Sequence, residues 1–80
     1  MKTEKDVIEV SDFYHACILK AEGYRFLTLA GTDDPKRKVF VFEDDGNAED
    51  TILAFDNDEL RTNPKLVLAA SRYLKSKLYD

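Results

Sequence analysis

The chain holds one cysteine, one histidine, and no apolar run near the roughly 18 residues of a membrane span. A single thiol excludes an internal disulfide framework and any zinc site built from several cysteines. No leader of basic then apolar residues opens the sequence, so a soluble, reducing, cytoplasmic setting is expected, with no membrane partner. Motifs of chemistry are equally scarce. There is no G-x-S-x-G elbow to expose a serine nucleophile, and Gly31 belongs to no glycine-rich phosphate loop. What remains is 80 residues, 44% hydrophobic and 35% charged. That balance fits one small globular domain that buries about 60% of its unfolded surface.

The net charge of −4 hides a segregation. Glu43 to Glu59 carries eight acids (Glu43, Asp44, Asp45, Glu49, Asp50, Asp56, Asp58, Glu59) and no base. From Arg61 onward come Arg61, Lys65, Arg72, Lys75 and Lys77 against one acid, Asp80. Two adjacent helices of opposite sign would account for this. So would an acidic face for a basic partner and a basic face for a phosphate or an acidic partner.

Residues 1–6 lack periodicity and are expected to fray, and Val7 to Val10 is a short strand or an extended lead-in. Ser11 reads as an N-cap and Gly23 as the residue just past the end of a first helix. On that helix Phe13, Cys17 and Ala21 form the inner stripe, while His15, Leu19 and Glu22 fall opposite. Tyr24–Leu29 and Lys38–Phe42 are strand candidates, joined by the turn formers Gly31 to Pro35. Val39 to Phe42 is apolar on both faces and requires cover on both. Asn47 is a plausible cap for a short helix ending near Asp56-Asn57. Asn63 with Pro64 is a stronger start for a long terminal helix, whose inner stripe is Val67, Ala70, Ser71, Leu74 and Leu78. The expected fold is α+β: helix, β-hairpin, helix, helix, with the helices packed on an antiparallel sheet. Residues 1–10 form a flexible or extended N-terminus and residues 11–80 the single domain. Its core is expected to contain Phe13, Cys17, Phe26, Val41, Ile52, Phe55, Val67, Leu74 and Leu78.

No constellation of residues points to catalysis, and no metal or cofactor is expected. Aligning Gly46 with the sixth position of a calcium loop puts Val41 where the leading carboxylate belongs, so Glu43 to Asn47 reads as an acidic turn. Asp44 or Asp45 with Glu59 makes only a chance resemblance to a metal-dependent nuclease site. Cys17 sits on the inner stripe, and His15, two residues away, projects from another face and cannot activate it. Lys65, Arg72, Lys75 and Lys77 spread over more than half of the last helix, and the net negative charge opposes non-specific binding to nucleic acid.

Ser11-Asp12-Phe13-Tyr14-x-Ala16, Gly23-Tyr24 and Phe40-Val41-Phe42-Glu43-Asp44 occur in order, followed by Glu59-Leu60-Arg61 and Leu74-Lys75-Ser76-x-Leu78-Tyr79. In this pattern the chain resembles a family of small bacterial and phage proteins known only as a domain of unknown function. The resemblance implies a stand-alone cytosolic domain and no particular reaction. The expected function is a non-enzymatic protein-interaction module that associates with a protein partner or with itself as a homodimer. Its expected contact residues are Phe40 and Phe42 on the hairpin and Arg72 and Lys75 on the last helix. The alternative is a nucleic-acid accessory protein that uses the basic terminal helix.

Overall fold

Asp12, not Ser11, starts the first helix. In the computed structural model, which describes residues 6–34 and 37–79, the Asp12 carboxylate accepts from the amides of Tyr14 at 2.8 Å and His15 at 3.2 Å. Its charge also meets the positive end of the helix dipole, which a serine would not supply. Helix α1 (Phe13–Ala21) ends as the sequence predicts. Gly23 takes φ +97°, and the amides of Gly23 and Tyr24 donate back to the carbonyls of Lys20 and Leu19.

Three strands flank and follow α1: β1 (Asp6–Val10) before it, then β2 (Phe26–Gly31) and β3 (Lys38–Asp44). Their order in the sheet is β1-β3-β2, with both outer strands antiparallel to β3. The expected hairpin therefore gains a third strand. Residues 6–10 are part of the domain, while the fraying expected of residues 1–5 and the turn at Pro35 lie outside the described residues. A bulge between Phe26 and Thr28 breaks the β2 register.

Helix α2 (Ala48–Asp56) has Asn47 at its cap position, but the Asn47 side chain makes no capping bond. Two acids of the turn act instead. Asp44 accepts from the amides of Gly46 and Ala48, and Asp45 from that of Asn47. Part of the acidic run thus serves local structure. Helix α3 (Pro64–Leu78) begins as expected: Asn63 accepts from the Lys65 amide at 2.9 Å and Pro64 fills the first turn.

All three helices contribute to one core on one face of the sheet. Val10, Phe40 and Phe42 meet Ala16, Cys17, Leu19, Ala48, Ala70 and Leu74 there. Phe13, Phe26, Ile52, Val67 and Leu78, expected inside it, are partly buried and pack at its margin, while Phe55, also expected there, lies outside the cluster. Leu19 corrects the sequence reading: it is fully buried. Helix α1 packs against α3, α2 and the sheet, so Ala16 through Leu19 are all covered and the helix has no single inner stripe. Because α1 makes these contacts with both, α2 and α3 share no extensive contact, and among the described residues no ion pair joins them. The molecule measures 37 × 34 × 19 Å, the thin axis spanning one helix layer on one sheet.

Asp58 ends α2 in the left-handed region, φ 60°, where a Cβ is disfavoured. The Glu59 amide donates to the Ala54 carbonyl across it at 2.8 Å. Asp58→Gly should raise stability by about 0.5–1 kcal/mol, visible as a rise of a few degrees in thermal melting. A fall would show that the Asp58 side chain contributes more than its backbone strain costs.

Candidate interaction surfaces

Side-chain parity decides which residues the sheet offers to a partner. Successive residues of a strand point to opposite faces. Phe40, 3% exposed, and Phe42, 0% exposed, point into the core, where their rings meet Phe13 and Phe26. They cannot be the contact residues expected from the sequence. The outward positions of β3 are Val39, Val41 and Glu43. Opposite them stand Val7 and Glu9 on β1 and Thr28 and Ala30 on β2.

No helix among the described residues covers this outer face. Val7 is 53% exposed and Leu27, at the bulge, is also exposed. Val41 is only 9% exposed, shielded in the middle strand although it lies outside the main core. The Arg25–Glu43 pair, 3.9 Å apart, marks one rim of the face. The hint available in the sequence was size: β3 alternates Val with Phe, and the larger rings take the filled side.

Arg72 and Lys75 are exposed on α3. Lys75 lines a shallow groove with Arg37, Lys38 and Tyr79. Tyr79 is 85% exposed. The Tyr73 ring is already engaged by the ammonium groups of Lys20 at 4.6 Å and Lys77 at 5.1 Å and by the edge of Phe26.

A second groove, about 560 Å³, runs between β1 and α2. Glu9, Asp12, Glu49, Asp50 and Asp56 line it, with Ile8, Val10, Ile52 and Leu53 as apolar wall and, among the described residues, no lysine or arginine. His15 borders it, with Nε2 2.9 Å from Asp56 Oδ1, tying α1 to the end of α2. A third groove, mostly apolar, lies between α1 and α3 over Cys17, Ile18 and Val67.

Cys17 is buried. Burial pushes its thiol above the ordinary value, reinforced by Asp12 and opposed by Lys75, so the reactive thiolate is disfavoured. Burial also raises the Tyr24 phenol, against the hydrogen bond at 3.2 Å to the Thr51 hydroxyl and with help from Asp45. Among the described residues no three His, Cys, Asp or Glu side chains are grouped so as to hold a metal ion, and no helix is long and apolar enough to cross a membrane.

A family model described as a domain of unknown function (DUF5659) matches residues 5–80. No curated protein and no solved structure matches the chain.

Proposed function

The chain belongs to that family, and from its geometry we propose that it is a non-catalytic, cytoplasmic protein-interaction module that pairs with a second copy through the outer face of its sheet. One observation carries the reading: every helix among the described residues lies on the Phe40–Phe42 side, leaving Val7, Leu27, Ala30 and Val39 without a second layer. Stacking two such faces about 10 Å apart would remove these side chains from water. Closed two-fold pairing is also the commonest way for a soluble domain to associate.

Size sets the strength. Seven residues of β3 by three strands give a face of roughly 23 × 14 Å, on the order of 300 Å². That is well below the ~800 Å² per partner of a standard stable interface. Association should therefore be weak and rapidly reversible, with a dissociation constant of about 10–500 micromolar. Dilution of a ¹⁵N-labelled sample should move the amide resonances of Val7, Thr28, Val39 and Val41 and leave those of α2 in place. Shifts independent of concentration would contradict the pairing. The alternative nucleic-acid role of α3 predicts salt-dependent retention on DNA or RNA. The present reading expects none near physiological salt.

A further inference from the structure

The groove between β1 and α2 runs along an unprotected sheet edge. Among the described residues β1 has β3 as its only strand neighbour, so alternate residues aim their N–H and C=O away from the sheet. The Glu43 amide donates to the Arg25 carbonyl, which turns the odd-numbered residues of β3 toward β2 and the even-numbered ones toward β1. Ile8 and Val10 stand opposite Phe42 and Phe40 and bond inward, so Val7 and Glu9 hold the outward groups. Lysine, proline and a bulge, three guards that an edge strand can carry, are missing from Asp6–Val10, whose charged residues, Asp6 and Glu9, are acidic. The other edge, β2, carries the bulge.

We propose that this edge receives an extended, basic segment of a partner protein, added to β1 as a fourth strand. The five residues of β1 offer about 17 Å of edge. Ile8, Ile52 and Leu53, the last 58% exposed, supply the apolar floor. Glu49 and Asp50 supply the charge that selects lysine or arginine side chains, and among the described residues no lysine or arginine lines the groove to offset them. The same acids repel an acidic segment, so they exclude wrong strands as well as attract the right one. A second copy of the chain does not fit this edge: β1 is itself acidic and β2, FLTLAG, has no basic residue. The surface is thus distinct from the self-pairing face.

The test uses the full chain, ¹⁵N-labelled, and three peptides of about ten residues. One alternates lysine with valine or threonine, the second has glutamate for lysine, and the third repeats the first with alternate backbone amides N-methylated. The lysine peptide should shift the amides of residues 7–12 and 49–56. Glu49→Gln with Asp50→Asn, checked as folded by circular dichroism, should weaken binding roughly fivefold or more. The glutamate and N-methylated peptides should not bind. No shifts with the lysine peptide at about 1 mM would overturn the proposal. Equal binding of the N-methylated peptide would also overturn it, by showing charge adhesion without strand pairing. Shifts centred on Val39 and Val41 would place the peptide on the other surface and refute the edge site, while the protein's mass in solution reports self-pairing separately.

Discussion

Leu74→Ala should leave little folded protein at room temperature. Leu74 is fully buried on α3 within the core that joins α1 to the sheet. Truncating such a leucine removes the transfer free energy of its methyl groups and leaves a cavity, costing about 2–5 kcal/mol. A chain of this length has a total stability of order 5 kcal/mol, so the loss is comparable with the whole. Circular dichroism and thermal melting read the outcome. A melting temperature within a degree or two of the parent protein would show that α3 is not packed as described.

The second large effect is a contrast between neighbours on one strand. Phe42→Asp buries a carboxylate in the core without a partner, and should cost more than the roughly 3–5 kcal/mol of a phenylalanine truncation. The variant should be unfolded. Val39→Asp, three residues away on the outer face, should cost on the order of 1 kcal/mol and keep the native dichroism. If both variants unfold, the outer face is covered. If Phe42→Asp folds and Val39→Asp unfolds, the parity of β3 is reversed.

That contrast also marks where the sequence stopped being informative. Val39 to Phe42 was legible as a strand apolar on both faces, but apart from side-chain size nothing local says which pair turns inward. A one-residue slip exchanges the faces, and the connection from Gly31 to Lys38 is too long to set the register. The expected contacts Phe40 and Phe42 therefore fell on the wrong side. Arg72 and Lys75 were correctly read as surface residues, because α3 has polar and apolar sides and unambiguous start signals in Asn63 and Pro64. Helix α1 gave less: its neighbours surround it, so Leu19 looked solvent-facing when counted against one stripe. The β1–β3 pairing joins Asp6 to Asp44, a separation over which neither turn chemistry nor periodicity reports. The acidic run was legible as charge. Its division into capping acids, Asp44 and Asp45, and groove acids, Glu49 and Asp50, required the fold.

Sedimentation equilibrium over about 10–500 micromolar protein tests the uncovered sheet face most directly, with Val39→Asp as the comparison. The account predicts an apparent mass for the parent chain that rises from 9.2 kDa toward twice that value with concentration, and a Val39→Asp variant that stays at the monomer mass while keeping its fold. A parent chain that remains a 9.2 kDa monomer throughout, or a variant that associates equally well, would contradict it.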